Sequence, residues 1–62
     1  MIERYDQTRY KITVYRTTGH CAVEVIDQKT GHKAVCDASL SQAKNLTEAM
    51  SQVASMDPAN QG

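Results

Sequence analysis

A change of hydrophobic period near residue 38 divides this chain of 62 residues into two parts. Residues 10–17 and 20–27 alternate between apolar and polar side chains, as β-strands with one buried face do, and residues 33–37 continue that pattern briefly. After residue 38 the apolar side chains recur at steps of three and four, which is the stripe of an amphipathic helix. This stripe consists of Leu40, Ala43, Leu46, Met50 and Val53.

The order of these segments predicts an α+β fold, a three-stranded antiparallel β-meander packed against one C-terminal α-helix (βββα). We expect residues 1–62 to form a single domain, with residues 9–37 as the sheet and 39–56 as the helix. Residues 1–8 are expected to be a loose arm or an extension of the first strand, and 57–62 a frayed tail. Ser39 fits the helix N-cap, Gln42 completes a capping box, and Asp57-Pro58 ends the helix.

Two turns fix the expected pairing of the strands. Thr18-Gly19 is the first, and Gln28–Gly31 is the second, with Gly31 where a positive φ is expected. In the resulting register the apolar phases of all three strands agree. The expected opposite pairs are Val14 with Val23, Val23 with Cys36, Ile12 with Val25, and Val25 with Ala34.

The composition limits the core to small and medium side chains. The chain has no Trp and no Phe, and its aromatic residues are Tyr5, Tyr10 and Tyr15. A core built from Ile, Val, Leu, Met, Ala and Cys in so short a chain gives modest stability. A homodimer in which the outer sheet faces or the N-terminal arms pair would cover more apolar surface.

Four residues could supply soft metal ligands: His20, Cys21, His32 and Cys36. Their spacing matches no common zinc pattern, and the two cysteines are expected on diagonal positions of neighbouring strands, too far apart to bridge easily. We therefore expect two free, buried cysteines. No nucleophile, base and orienting group converge either, so we expect no metal, no cofactor and no enzymatic activity.

The sheet face turned away from the helix is the expected binding surface. It would display side chains more apolar than a solvated face requires, and the expected contact residues are Lys11, Thr13, Tyr15, Glu24, Ile26, Lys33 and Val35, with Ala22 beside them. The alternative is an ordinary exposed face, because scattered apolar residues are common on protein surfaces.

Charge suggests a second use for the sheet. Residues 9–36 hold five basic residues against two acidic ones, although the whole chain has a net charge of +0. The expected nucleic-acid contacts in a DNA-binding module are Arg9, Lys11, Arg16, Lys29 and Lys33. Solvated lysines at strand edges explain the same pattern, since charged residues there discourage aggregation.

The order of strand, Thr30-Gly31 turn, strand and capped helix over Asp27–Met50 resembles the N-terminal arm-binding domain of tyrosine-recombinase integrases. The resemblance lies in Asp-Gln-Lys-Thr-Gly-His at residues 27–32 and in Thr47-Glu48-Ala49. In that family a three-stranded sheet reads the DNA major groove. Those domains are rich in Arg and Lys, whereas this chain is neutral, so the resemblance supports the topology more than the function.

Residues 38–44, Ala-Ser-Leu-Ser-Gln-Ala-Lys, resemble a strand-to-helix junction in a small phage-encoded anti-CRISPR protein of the type I class. Such inhibitors bind a CRISPR effector complex and block target DNA binding or cleavage. The resemblance implies a small protein-binding module from a phage or mobile element whose partner is a host protein complex. The first six residues contain no apolar run and no apolar stretch is long enough to span a bilayer, so we expect a cytoplasmic protein, in the host cell if it is phage-encoded, and no membrane.

Overall fold

The computed structural model describes residues 2–6 and 9–56 of the chain. Within them lie four strands, β1 (Ile2–Asp6), β2 (Tyr10–Thr17), β3 (His20–Asp27) and β4 (Lys33–Cys36), followed by one helix, α1 (Gln42–Met56). The strands form one antiparallel sheet in the order β1-β2-β3-β4. The α+β class with a C-terminal helix is therefore confirmed, but the three-stranded prediction is wrong, because the sheet has four strands (ββββα).

The additional strand is β1, which we expected to be a loose arm or an extension of the first strand. It pairs antiparallel with β2, with Ile2 opposite Tyr15 and Tyr5 opposite Ile12. Charged residues occur in both phases of this strand, Arg4 and Asp6 with Ile2 and Glu3 with Tyr5, so the sequence indicates no apolar face for it. An edge strand with one neighbour tolerates this composition, and charged residues are common at sheet edges.

The register of the other strands is confirmed. All four predicted opposite pairs are present: Val14 with Val23, Ile12 with Val25, Val23 with Cys36, and Val25 with Ala34. Because opposite residues lie on the same side of an antiparallel sheet, the apolar side chains of β2, β3 and β4 share one inner face. This agreement was the strongest sequence evidence for the meander.

The inner face and α1 form the core. Its buried apolar members are Ile12, Val14, Cys21, Val23, Val25, Ala34, Cys36, Ala49 and Val53. Leu46 and Met50 are half-buried and pack against them. The helix lies over β3 and β4.

Glycines close both predicted turns. Gly19 has φ +76° and Gly31 has φ +82°, the left-handed region that other residues adopt only with strain. In the second turn the N–H of Gly31 donates to the carbonyl oxygen of Asp27 at 2.7 Å, and the N–H of Asp27 donates to that of His32 at 2.8 Å. The positive φ predicted for Gly31 is confirmed.

The helix begins later than predicted. It starts at Gln42, and Ser41 is its N-cap, because the Ser41 hydroxyl accepts a hydrogen bond from the N–H of Lys44 at 3.3 Å. Ser39 instead accepts from the N–H of Ser41 at 3.0 Å, which forms a turn before the helix. The capping box between Ser39 and Gln42 is therefore wrong. The helix ends at Met56 as expected, and Asp57-Pro58 lies outside the described residues.

The buried stripe of α1 also differs from the prediction. Leu40 precedes the helix and is 73% exposed, and Ala43 is exposed as well. The buried helix positions are Asn45, Ala49 and Val53. The prediction passed over Asn45 because an amide is unexpected in a core unless its hydrogen bonds are satisfied.

Those hydrogen bonds are satisfied. The Asn45 amide nitrogen donates to the carbonyl oxygens of Cys21 at 3.0 Å and Ser39 at 2.8 Å. Its oxygen accepts from the N–H of Ser39 at 3.1 Å and faces the Cys36 thiol at 3.5 Å. One side chain therefore joins the helix, the start of β3 and the segment between β4 and α1.

Candidate binding face of the sheet

The sheet face opposite α1, called here the outer face, is the candidate site. Antiparallel registers assign residues to it in four rows across the strands. The first row is Ile2, Tyr15 and Ala22, the second is Arg4, Thr13, Glu24 and Val35, the third is Asp6, Lys11, Ile26 and Lys33, and the fourth, beside the turn between β2 and β3, is Thr17 and His20. The face therefore contains every predicted partner-binding residue, together with Ile2 and Arg4, which the prediction lacked.

Ile2 and Arg4 are absent from the predicted set because residues 1–8 are predicted as a loose arm or an extension of the first strand, and not as a separate strand that pairs with it. The signal was present as an alternation in which Ile2, Arg4 and Asp6 occupy one phase and Glu3 and Tyr5 the other. The mixed charges of both phases obscured it.

Large apolar side chains are exposed at two places on the outer face. Ile2 is 59% exposed and its cross-strand neighbour Tyr15 is 42% exposed. Val35, on β4, is 52% exposed, and Ile26 on the adjacent strand is half-buried. The outer face therefore offers apolar contact area near both edges of the sheet.

Thr13 lies at the centre of the outer face but contributes little area to it. Its residue is only 5% exposed, although it is not on the side that α1 covers. It lies between Arg4 and Glu24 in the same row, so longer side chains flank it on both sides. Of the predicted contact residues, Thr13 is thus the one that a partner would reach least.

Arg9 belongs to an ion pair in which it is half-buried and its partner, Asp27, is buried. Its Nη2 lies 2.7 Å from Oδ2 of Asp27, and its Nε donates to both carboxylate oxygens at 3.0 and 3.1 Å. Asp27 is 1% exposed and also accepts from the backbone N–H of Lys29 at 2.9 Å. The Arg9 hydrogen bonds, helped by that N–H and the N–H of Thr30, hold the pKa of Asp27 well below its usual range, although burial opposes this.

The five residues predicted to bind nucleic acid do not form one surface. Arg9 is engaged with Asp27, and Arg16 shares the inner-face register of Cys21, where its side chain donates to Gln42 of the helix. Lys29 lies in the turn after β3. Lys11 and Lys33 do share the third row of the outer face, separated by Ile26 and so by about 10 Å at the usual strand spacing.

The cysteines and histidines are also dispersed. Cys21 and Cys36 are free and buried, as predicted. Exposed His20 lies on the opposite side of β3 from Cys21. Among residues 2–6 and 9–56, no three His, Cys, Asp or Glu side chains cluster as metal ligands would, and the surface there has no pocket.

No protein-family model, no curated protein and no solved structure matches the chain. Within the described part of the chain, α1 has 15 residues and falls short of the length and hydrophobicity that a bilayer-spanning helix requires.

Proposed function

We propose that the chain is a non-enzymatic binding module that docks a protein partner on its outer face. The observation that supports this most directly is the exposure of Ile2, Tyr15 and Val35 on a four-stranded face that α1 does not cover. Apolar and aromatic contacts flanked by charged residues are the usual make-up of a protein interface. Here Lys11, Lys33 and Glu24 provide the flanking charges.

The charge distribution favours a protein over DNA as the partner. Arg4, Lys11 and Lys33 are the basic positions of the outer face, and Asp6 and Glu24 are its acidic positions. Affinity for DNA comes largely from neutralised phosphates, so about three cations on the face would give weak binding with a shallow salt dependence.

The resemblance at residues 38–44 suggests a concrete partner. In this version the protein is encoded by a phage or mobile element and inhibits a type I CRISPR effector complex in the host cytoplasm. The exposed apolar face supplies the binding surface that such an inhibitor needs, since an inhibitor of this kind works by occupying its target.

The test is binding of the purified protein to a purified type I effector complex, measured by biolayer interferometry. A variant carrying Ile2→Glu and Tyr15→Glu places two charges in the apolar part of the face. The matched control carries Ala43→Glu and Thr47→Glu, which add the same charge at exposed positions of α1. We expect the first variant to lose binding at least tenfold and the control to bind like the unmodified protein, because burying an unpaired charge in an interface is costly.

Equal loss in both variants would contradict docking on the outer face. Absence of binding to the effector complex would remove the anti-CRISPR version. A gel shift with duplex DNA, measured at about 50 and 200 mM salt, identifies the DNA-binding alternative. That alternative requires a salt-sensitive shift that is lost when Lys11 and Lys33 are both changed to Glu.

A further inference from the structure

β4 is an edge strand whose outward backbone groups can be identified. The hydrogen bond between Asp27 and His32 sets the alternation of the β3–β4 ladder. Hydrogen-bonded pairs recur at every second residue of an antiparallel ladder. From Asp27 with His32, the next hydrogen-bonded pairs are therefore Val25 with Ala34 and Val23 with Cys36. The N–H and C=O groups of the residues between them, Lys33 and Val35, are therefore directed away from β3, toward the open edge.

We propose that a second copy of this chain adds to the β4 edge, antiparallel and related by a two-fold axis at Val35. In this register Val35 lies opposite Val35 of the second copy, and Lys33 lies opposite Asp37 of the second copy. The odd-numbered residues of β4, whose side chains lie on the outer face, are opposite odd-numbered residues of the second copy. The outer faces of both copies therefore lie on the same side of the combined sheet. The product is one continuous sheet of eight strands with a helix from each copy on its other face.

The side chains complement one another in this register. Val35 is 52% exposed in the single chain, and Lys33 and Asp37 are both exposed. The two-fold axis brings the valines together and creates two pairs of opposite charge, each of which stabilises a cross-strand contact. Roughly six backbone hydrogen bonds form as well, two at Val35 and two at each Lys33–Asp37 pair.

Other ways of pairing the edges are less complementary. Shifting the β4 register by two residues places Lys33 opposite Val35 and loses both charge pairs. At the other edge, the register that pairs the whole of β1 with its copy centres on Arg4 and places two arginines opposite each other. Like charges in directly opposite positions destabilise a sheet.

The helices leave room for this arrangement. Because α1 contacts both β3 and β4, its axis lies between them. At the usual strand spacing this places the axis about 5 Å from the two-fold axis, and the two helices about 10 Å apart. Packed helices are normally 8–10 Å apart, so the second copy reaches the edge without a collision.

The pairing involves one short strand from each copy, since β4 has only four residues. We therefore expect a reversible dimer with a dissociation constant on the order of 10–100 µM, as for small interfaces. This inference does not rest on the proposed function, because it follows from the backbone groups and charges of the β4 edge, although Lys33 and Val35 belong to both the edge and the outer face.

The test is sedimentation velocity of the full chain at concentrations from about 10 µM to about 1 mM, a range that spans the expected dissociation constant. We expect the mass to rise toward twice the chain mass of 6.9 kDa. Lys33→Glu and Asp37→Lys should each raise the dissociation constant about tenfold or more, because both symmetric pairs become repulsive. Lys11→Glu is the matched control: it changes the same charge in the same row away from the edge and should leave the dimer unchanged.

Mixing the two charge variants gives the decisive result. The glutamate that Lys33→Glu introduces then faces the lysine that Asp37→Lys introduces, and the unmodified Lys33 and Asp37 of the two variants face each other. The mixture should therefore form heterodimers, whereas neither variant dimerises well alone. Circular dichroism verifies that each variant is folded before mixing. A monomer throughout the concentration range, or a mixture that stays monomeric, would overturn the proposal.

Two further outcomes would also overturn the proposal. If Tyr15→Glu abolishes the dimer while Lys33→Glu does not, the copies meet through their outer faces. If Lys33→Glu produces larger aggregates in place of monomers, Lys33 keeps the edge unpaired and protects it from aggregation.

Discussion

Replacing Asn45 with alanine is expected to lower the free energy of unfolding by about 3 kcal/mol. Asn45 is 1% exposed, and its amide satisfies the carbonyl oxygens of Cys21 and Ser39 and the N–H of Ser39. Alanine leaves all three backbone groups without this partner, and a buried group without a hydrogen bond costs about 1–3 kcal/mol. Cys21 is 3% exposed, so its carbonyl should carry the full cost, whereas Ser39 is half-buried and water can replace part of its loss.

This loss is large for a chain of 62 residues. At about 0.05–0.15 kcal/mol per residue, the whole fold is worth roughly 3–9 kcal/mol. The variant should therefore lie near the limit of folding at 25 °C. Urea unfolding followed by far-UV circular dichroism measures the change as a lower midpoint at an unchanged slope.

Asn45→Asp provides a sharper version of the test with nearly the same shape. The carboxylate still accepts from the N–H of Ser39 but cannot donate to the two carbonyl oxygens. Burial beside those oxygens should raise the pKa of the introduced carboxyl above its unfolded value of about 3.9. The stability of this variant relative to the natural chain is therefore highest below the unfolded-state pKa of about 3.9. It falls as the pH rises toward and through the higher folded-state pKa.

We expect the loss in free energy of unfolding caused by Asn45→Asp to become smaller when the pH is lowered from about 7 to about 4. The loss caused by Asn45→Ala should change much less. A loss below about 1 kcal/mol in the alanine variant would refute the argument, since one unsatisfied buried group alone should cost that much. A loss in the free energy of unfolding of the aspartate variant that does not depend on pH would refute it as well.

Three further changes test other parts of the fold by the same unfolding assay. The pair of Arg9 with Asp27 stabilises the fold above about pH 4 and is lost as pH falls through the lowered folded-state pKa of Asp27, so Arg9→Ala should be destabilising at neutral pH and converge on the natural chain in acid. Gly31→Ala should cost about 1 kcal/mol through backbone strain alone, because its Cβ would meet nothing within 4 Å. Val53→Ala should cost about 2 kcal/mol by opening a core cavity, while Leu40→Ser stays within about 0.5 kcal/mol because Leu40 is 73% exposed.

Each of these expectations can fail separately. A stability difference for Arg9→Ala that persists unchanged at low pH would mean that the charge pair is not its source. A neutral Gly31→Ala would contradict the left-handed backbone at that turn. A costly Leu40→Ser would mean that Leu40 packs against the core, as the sequence pattern predicts.

The parts of the fold that sequence predicted are those fixed by a strict alternation. In β2 and β3 one phase is apolar over most of the strand, up to Arg16 in β2 and Asp27 in β3, so only one register buries it, and the positions of Tyr15, Ile26 and Val35 on the outer face follow directly. β1 has no such phase, because its charges occur on both faces. Its pairing depends on the exposed edge of β2, which is a tertiary feature.

The start of the helix and the use of the basic residues depend on contacts that sequence patterns do not contain. Ser39 and Ser41 are equally good caps, and the choice between them follows from Asn45, which holds the backbone of Ser39 outside the helix. Arg9 was predicted as a surface contact, but the pairing of β2 with β3 brings Asp27 beside it. Both outcomes require knowing which residues meet in the folded chain.

The order of the strands has a consequence for how quickly the chain folds. Each strand pairs with the one that follows it, so every step of sheet formation joins strands that are only a few residues apart in the sequence. Local pairing of this kind is associated with fast folding, and we expect the sheet to assemble in about milliseconds. The docking of α1 comes from farther along the chain, because the hydrogen bond from Asn45 to Cys21 spans 24 residues. A nascent chain can thus complete its hairpins in order of synthesis, and α1, which is made after the four strands, is the element that seals the core.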